Sequence, residues 1–199
     1  MTLPDDYFDD LYARSDDPWG FRTRWYETRK RNVVLACLLS ERYSTGFEPG
    51  CSIGVTTASL AARVDHLVAM DVASHALEQA RHAAIGGGVD FRLGRVPSDW
   101  PDEHFDLVVI SEVAYYSEEA DCRKLAELAC GSADELLVVH WRHPVADYPL
   151  RGDAVQKLFA AAANDHTLKH QLSHVEADFR IDSWSRDHRS PAARAALLP

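Results

Sequence analysis

The chain of 199 residues is long enough for one full domain and too short for two ordinary ones. Hydrophobic residues make up 46% of it, which is usual for a globular protein with one sizeable core. Its 31 acidic and 21 basic side chains give a formal net charge of −10, whereas a nucleic-acid-binding protein usually carries a basic surplus. The composition therefore argues against a large nucleic-acid partner.

The sequence also shows no uncharged apolar run of membrane-spanning length, and its first residues lack the basic and apolar regions of a secretory signal. The four cysteines form no C-x-x-C pair and no zinc-finger spacing, which is typical of reduced cysteines. We therefore expect a cytoplasmic protein without a membrane partner, as a monomer or a homodimer.

A basic run near the N-terminus interrupts the acidic composition. It consists of Arg22, Arg24, Arg29, Lys30 and Arg31. A charge run is most often a solvated helix face. The alternative is that one of these cations meets an anionic group of a ligand.

Apolar runs of strand length alternate with helical patterns from the middle of the chain onward. The first predicted strand closes at Phe47-Glu48, and later strands cover residues 67–70, 89–93, 105–110 and 135–140. The predicted helices cover residues 56–64, 74–84, 118–129 and 153–163. Ser74 is the expected cap of the second of these helices, residues 80–84 continue its buried face, and glycines 86–88 end it.

This alternation predicts a parallel sheet with right-handed crossovers. Residues 168–175 and 177–184 follow with only a short connection, which predicts an antiparallel hairpin at the sheet edge. The expected fold is therefore an α/β domain with a seven-stranded sheet of five parallel strands and a C-terminal antiparallel hairpin. Residues 190–199 are expected to form a frayed tail.

The segment from Glu48 to Gly54 connects the first strand to the first helix of this pattern. Gly50 and Gly54 occupy two of the usual glycine positions of a nucleotide-binding turn, and Ser52 occupies the middle one. Small residues let the backbone approach a ligand, and the following helix offers unpaired N–H groups. Because the same residues also make an ordinary strand-to-helix turn, the loop alone does not decide between the two.

Asp71 favours the nucleotide site. It ends the second predicted strand about 20 residues beyond the loop, where a carboxylate can accept hydrogen bonds from both hydroxyls of a ribose. The alternative is an acidic side chain that interacts with the dipole of the next helix. NAD and S-adenosylmethionine (SAM) are both bound in this way, so the ligand needs further evidence from the rest of the chain.

The further evidence for the ligand is the order of motifs along the chain. This order resembles that of the Rossmann-like class I methyltransferases and, most of all, that of the nodulation protein S family of N-methyltransferases. The resemblance runs from Tyr7 to about Arg186. It rests on the loop, on Asp71 and on four further stretches, Asp17-Pro18-Trp19, residues 24–30, residues 105–116 and residues 140–144. The resemblance implies SAM as cofactor and a nitrogen or oxygen of a small-molecule acceptor, such as an amine, amino sugar or oligosaccharide, as methyl acceptor.

The resemblance also implies roles for single residues. Residues 1–40 would form lid helices, residues 41–186 the core of a single domain and residues 187–199 the tail. Lys30 in the lid would pair with the methionine carboxylate, Glu48 would orient the loop near the methionine amino group, and Asp71 would bind the ribose. The full set of implied cofactor contacts is Trp19, Tyr26, Lys30, Glu48, Gly50, Cys51, Gly54, Asp71, Val72, Arg95, Val96, Ser111 and Glu112.

Two positions depart from the family pattern. Ser52 replaces a glycine or alanine, and Arg95 stands where many methyltransferases carry an Asp that accepts a hydrogen bond from the adenine amino group. Because a guanidinium accepts no hydrogen bond, adenine recognition is expected to use the backbone around Arg95 and Val96 instead.

The acceptor is expected beyond the ends of the fourth and fifth strands, because ligands of open α/β sheets bind there. His140 is the first candidate for a catalytic base, since an imidazole titrates near neutral pH. Glu112 is the second candidate, and Tyr115 and Tyr116 are expected to wall the methyl site. Each has a structural alternative: a buried hydrogen-bonded imidazole, a cap or cofactor contact, and core packing.

His166, His170 and His174 recur every four residues, but the stretch is predicted to enter a strand, so no metal site is expected. Two rival functions remain open. An NAD(P)-dependent oxidoreductase would share the loop and Asp71, although its sheet usually has six parallel strands and its loop a fuller glycine pattern. A SAM-binding protein without catalysis is the other, because fold alone does not establish function.

Overall fold

The computed structural model describes residues 1–83 and 87–198. The strands are β1 Tyr43–Pro49, β2 Val64–Asp71, β3 Val89–Leu93, β4 Phe105–Ser111, β5 Ala133–Trp141, β6 Lys169–Val175 and β7 Phe179–Ser185. The helices are α1 Asp5–Arg14, α2 Trp25–Ala36, α3 Val55–Leu60, α4 Ser74–Ala83, α5 Glu119–Ser132, α6 Gly152–Asp165 and α7 Pro191–Arg194. No helix in these ranges is long and apolar enough to cross a membrane.

The sheet has seven strands in the order β3-β2-β1-β4-β5-β7-β6. Strands β1 to β5 are parallel, and β7 lies antiparallel between β5 and β6. The predicted fold class, with its five parallel strands and C-terminal hairpin, is confirmed. Because the chain moves from β3 across to β4, on the far side of β1, the order reverses between β1 and β4.

The central strands are buried on both faces, as their nearly continuous apolar sequences predict. On one face Val108 and Val138 pack with Phe159 beneath α5 and α6, while on the other Val109 and Val139 pack beneath α2 and α3. A smaller cluster joins α1 to the start of α4. These layers hold the carboxyl ends of β1, β2, β4 and β5 in fixed positions below the N-terminal segment.

The helix predicted over residues 56–64 is too long, because α3 ends at Leu60 and Val64 already begins β2. For the next helix, the predicted end of the buried face at Ala84 and the first glycine of the predicted stop, Gly86, lie outside the described residues. Gly88 does lie in the turn, at φ +97°, where an added Cβ would come within 2.7 Å of the Asp65 carbonyl oxygen.

The expectation of a frayed tail is wrong for residues 190–194. Ser190 caps α7 by accepting a hydrogen bond from the Ala193 amide. Arg194 is largely buried and pairs with the buried Glu135 at 2.9 Å, while Glu135 also accepts hydrogen bonds from the Tyr43 hydroxyl and the Leu39 amide. The composition of the tail does not indicate this contact, because Glu135 lies 59 residues earlier in the chain than Arg194.

Arg194→Ala should lower the free energy of unfolding by about 3 kcal/mol, because it leaves the Glu135 carboxylate buried without its cation. Arg189→Ala is the matched control: Arg189 pairs with Asp187 on the exposed surface, and its loss should cost less than about 1 kcal/mol. Urea unfolding measures both. Equal midpoints for the two variants would contradict the proposed docking of the tail.

Candidate active site

A cavity of about 340 Å³ lies between the carboxyl ends of the parallel strands and the N-terminal segment. Its floor comes from the loops after the five parallel strands, and its roof comes from residues of α1, α2 and the connection between them. This is the crevice that the reversal of strand order leaves open, and it is the usual ligand position in open α/β sheets.

The two loop glycines serve different purposes. Gly50 lines the cavity at φ +72°, and an added Cβ would come within 2.8 Å of Val113, so the close approach of β1 to the loop after β4 requires glycine. Gly54 is also left-handed, but its Cβ would collide with Ala80 of α4. Gly54 is absent from the cavity wall, so helix packing accounts for this glycine without a ligand.

Asp71 lies in the cavity wall and holds the turns around it. Its Oδ2 accepts a hydrogen bond from the Ser52 amide at 2.7 Å, and its Oδ1 accepts one from the Ala73 amide at 2.9 Å. Burial raises the pKa of Asp71, and the backbone donors oppose that shift. Val72 also faces the cavity.

Glu48 lies below the loop and is only 2% exposed. Its Oε2 accepts a hydrogen bond from the Thr57 hydroxyl at 2.6 Å, and burial raises its pKa to about 8. Glu48 faces a side pocket of about 50 Å³, shared with Cys51, Lys30 and Glu112, and is not part of the main cavity wall. Its described side-chain bond thus joins β1 to α3 rather than to the loop backbone.

The N-terminal segment contributes aromatic and charged side chains to the roof. Trp19 lines the cavity and stacks on Phe21, with ring centroids 5.6 Å apart. Tyr26 does not line the cavity. Its ring packs edge-on against Trp141 and Phe179, so Tyr26 supports the wall from behind.

Arg95 and Val96 both line the cavity. The Arg95 guanidinium pairs with Asp5 of α1, and the Arg95 amide donates a hydrogen bond to Asp99 at 2.8 Å. The amide of Arg95 is therefore already engaged, which leaves the Val96 backbone as the remaining part of the predicted adenine contact. The ion pair instead ties α1 to the loop after β3.

Lys30 carries the central charge at the end of the cavity where Glu27 and Glu112 also lie. It is 8% exposed, and its Nζ lies 3.1 Å from a Glu27 oxygen and 3.3 Å from Glu112 Oε1. Burial acts to lower the pKa of Lys30, but the two carboxylates outweigh it and the pKa is raised. Two carboxylates around one ammonium leave this end of the cavity with a net negative charge. The predicted partner of Lys30 was a ligand carboxylate, whereas the structure supplies two carboxylates of the chain.

Glu112 stands at the centre of the predicted acceptor side. It lines the cavity beside Ser111, with a left-handed backbone at φ +61° that turns the chain out of β4. Its Oε2 accepts a hydrogen bond of 2.5 Å from the Tyr115 hydroxyl, and burial followed by the Glu112 charge raises the pKa of Tyr115 well above its usual range. Tyr115 stacks on Tyr148 with centroids 5.0 Å apart.

Sequence reasoning missed several residues of the wall. They are Tyr12, Glu27 and Tyr148, to which no role was assigned. Glu27 lies three residues before Lys30 on α2, a spacing that predicts a pair on one helix face. Tyr148 follows β5 in an irregular segment, and no local pattern marks it as a neighbour of Tyr115.

The expectation that His140 projects into the cleft is wrong. His140 is 0% exposed and lies on the opposite face of β5 from the strand's cavity-side residues, with its ring 6.0 Å from that of Phe159 in α6. Neither ring nitrogen has a hydrogen-bond partner among the described residues, and burial lowers the pKa of His140 to about 3. Trp141, the next residue, faces the cavity instead, since side chains alternate along a strand.

The residues of the basic run and of the histidine series do not act as groups, because each makes contacts of its own. Arg29 binds Glu176 through both carboxylate oxygens, while Arg24 lies exposed at the cavity wall. His170 and His174 lie in β6 beside Asp182 and Glu176, respectively. In the described part of the chain, no three His, Cys, Asp or Glu side chains lie close enough together to hold a metal ion.

Comparison with known proteins identifies the family of the chain. The family model described as Nodulation protein S (NodS) matches residues 7–138. The chain belongs to the nodulation protein S family. Two curated members are nodulation protein S of Rhizobium tropici, 27% identical over 144 residues, and that of Bradyrhizobium diazoefficiens, 29% identical over 147 residues.

The alignments with these members are partial. The alignment with the Rhizobium tropici protein covers 65% of this chain and 60% of that protein, and the one with the Bradyrhizobium diazoefficiens protein covers 64% and 68%. The chain thus matches about 60% of the length of the first of these relatives.

Solved structures share the fold over nearly the whole chain. A candidate methyltransferase from Pseudomonas syringae is 40% identical, with a TM-score of 0.71 over 82% of this chain and 100% of that one. The N-methyltransferase NodS from Bradyrhizobium japonicum, crystallised with S-adenosyl-L-homocysteine (SAH), has a TM-score of 0.79 at 20% identity over 92% of this chain and 98% of that one. The seven-stranded architecture is therefore that of class I methyltransferases.

The buried position of His140 makes a prediction about acid stability. An unfolded chain binds a proton on this histidine near pH 6.5, whereas the folded chain does so only near pH 3, so stability should fall as pH falls through that window. His140→Gln should reduce that slope by up to about 1.4 kcal/mol per pH unit. Urea unfolding of parent and variant between pH 4.5 and 7.5, at roughly half-unit steps, measures the difference. Equal slopes would mean that the ring is protonated in the folded protein.

Proposed function

We propose that the chain is a SAM-dependent methyltransferase that transfers a methyl group to a nitrogen of a small-molecule acceptor. The observation that carries the proposal is a single cavity with two chemically different ends. One end holds the glycine turn and Asp71, and the other holds Glu112 and Tyr115 within an aromatic wall. Membership of a family with a member crystallised with SAH supports this assignment.

The residues at the first end fit an adenosyl group. The two backbone donors leave acceptor capacity on the Asp71 carboxylate, as two ribose hydroxyls require. Gly50 supplies a surface without a side chain beside this carboxylate, and Trp19 supplies an apolar cover above it. The methionine group is proposed to extend from there toward the other end, where the Lys30 ammonium and the side pocket with Glu48 are its proposed contacts.

The second end fits an amine that arrives as a cation. Glu27 and Glu112 outnumber the single ammonium of Lys30, and the aromatic side chains of Tyr115, Tyr116 and Trp141 line the cavity, where such rings can attract cations. An acceptor amine would therefore be concentrated at this end and oriented there. The same negative charge disfavours an anionic acceptor.

When bound, SAM supplies an electrophilic methyl group on a sulfonium, and transfer to nitrogen leaves SAH. The chain's own contribution is to hold the two reactants together, to exclude water and to accept the proton that the amine must lose. Glu112 is the proposed proton acceptor in place of His140. Its bonds to Lys30 and Tyr115 use two of the four acceptor positions of the carboxylate, so two remain, and one of these can receive the acceptor N–H.

The N-terminal segment through α2 is the proposed lid, because it forms the roof of the cavity. We further propose a cytoplasmic protein, either monomer or homodimer, that acts on a small molecule and not on nucleic acid. Four free, buried cysteines support a reducing compartment. The net charge of −10 supports the exclusion of nucleic acid.

The proposed cofactor predicts a selective rise in melting temperature. SAH should stabilise the protein, because a ligand that binds the native state alone raises its stability, whereas NAD should not. Thermal unfolding with each compound at about 100 times a micromolar Kd should show a gain of about 2.7 kcal/mol for SAH only. Stabilisation by NAD without SAH would favour the oxidoreductase alternative.

Asp71→Ala is the matched variant for this experiment. It should weaken SAH binding at least tenfold, because hydrogen bonds to a charged group are worth about 1.5–3 kcal/mol each. Calorimetric titration measures the loss of affinity, and circular dichroism checks that the fold persists. Parent-like SAH binding by the variant would contradict the ribose role of Asp71.

Glu112→Gln tests the acceptor end. It keeps the size and one acceptor oxygen of the side chain but removes the base, so kcat should fall by about 10² or more while the SAH Kd changes little. SAH release from SAM with a panel of primary amines, including glucosamine, measures the rate. Glu27→Gln is the control, because it removes the other partner of Lys30 and leaves Glu112 in place. Equal losses in both variants would assign the effect to Lys30 rather than to proton transfer.

A further inference from the structure

One side-chain contact joins the first helix directly to the glycine turn. The Tyr12 hydroxyl of α1 is hydrogen-bonded to the Ser52 hydroxyl, across 40 residues of sequence. Both residues line the cavity. Ser52 is the position at which the family pattern has a small residue without a hydroxyl, so the hydroxyl is a feature of this chain that the family pattern does not explain.

Ser52 adopts a backbone conformation that glycine takes freely and other residues do not. Its φ is +53°, between the left-handed Gly50 and Gly54. For a residue with a Cβ this conformation costs free energy unless the surrounding structure supports it. In this conformation the Ser52 amide donates its hydrogen bond of 2.7 Å to Asp71.

Tyr12 is held where it can provide that support. It is 3% exposed, packs with Ile53, Ala73 and Ala76, and meets the Trp19 ring edge-on. Its ring therefore lies between the glycine turn and the start of α4. Because burial and the nearby Asp71 raise its pKa, the hydroxyl keeps its proton and can donate it to Ser52.

We propose that Tyr12 is a positioning residue for the cofactor. Its hydrogen bond to Ser52 holds the turn in the left-handed conformation that aims the Ser52 amide at Asp71, and the same bond docks α1 over the cavity. Docking of α1 and binding of the adenosyl group are then coupled. This inference rests on the proposed function, since it assigns the turn and Asp71 to the cofactor.

Coupling of this kind has a reciprocal consequence. If the Tyr12–Ser52 bond tightens the binding of SAH, SAH must in turn stabilise the docked state of α1. Backbone amides of residues 5–14 should then exchange hydrogen more slowly when SAH is present. Loss of either hydroxyl, with a side chain kept at residue 52, should weaken both effects together.

The experiment compares the parent with Tyr12→Phe, Ser52→Ala and the double variant. Each single change removes one hydroxyl and leaves ring packing or backbone strain as it was. Calorimetric titration with SAH should show a loss of affinity of roughly threefold to tenfold for each single variant, the range for one net hydrogen bond. The double variant should bind no more weakly than the weaker single variant, because both changes remove the same bond.

Ser52→Gly separates the two effects of the bond. Glycine adopts the left-handed conformation without support, so SAH affinity should recover toward that of the parent. The docking bond is still missing, so the amides of residues 5–14 should exchange as fast as in Tyr12→Phe. Tyr7→Phe, on the same helix and outside the cavity wall, should leave both measurements unchanged.

Parent-like SAH affinity in Tyr12→Phe and Ser52→Ala would overturn the inference while leaving the proposed function intact. If the melting temperature of these variants also fell, the bond would be purely structural. Absence of SAH binding by the parent would contradict the proposed function and this inference together.

Discussion

The reversal of strand order between β1 and β4 is the constraint on which the rest of the molecule depends. Successive crossovers carry the chain outward from β1 to β3 on one side and from β4 to β5 on the other, so the loops after β1 and β4 part and leave a crevice. At the bottom of that crevice, the absence of a side chain on Gly50 lets the loop after β1 come into contact with Val113 in the loop after β4. The polar groups of the candidate site lie around this crevice.

Charge pairing then attaches the roof to the floor. Lys30 extends from α2 to Glu112 at the end of β4, while Arg95 after β3 reaches Asp5 of α1. These contacts cross between the N-terminal segment and the sheet at two distant points of the cavity. Because Lys30 is buried, its pairing is less screened by salt than that of a surface pair, and its removal would leave carboxylates without a partner. The roof is thus part of the site and not a separate cover.

The two kinds of buried polar group in the molecule have different consequences. Glu48 and Asp71 each have a hydrogen-bond donor and lie beside a cavity, where a ligand can complete their coordination. His140 has no described partner and lines neither the cavity nor the side pocket. Residue type and position at a strand end suggested a functional role for each of the three, but function requires access as well as chemistry. Access depends on which face of a strand a side chain occupies.

Periodicity, the spacing from Gly50 to Asp71 and the paired late strands determined the fold class and the position of the candidate nucleotide site, because these signals are local or depend only on strand order. The resemblance of the ordered motifs to one family suggested the proposed cofactor. Only the tertiary structure decided that Trp141 faces the cavity while His140 faces α6, since a one-residue step reverses the face of a strand. It also decided that Arg194 is anchored and that Tyr12 meets Ser52, because such contacts join residues far apart in sequence whose partners no local pattern specifies.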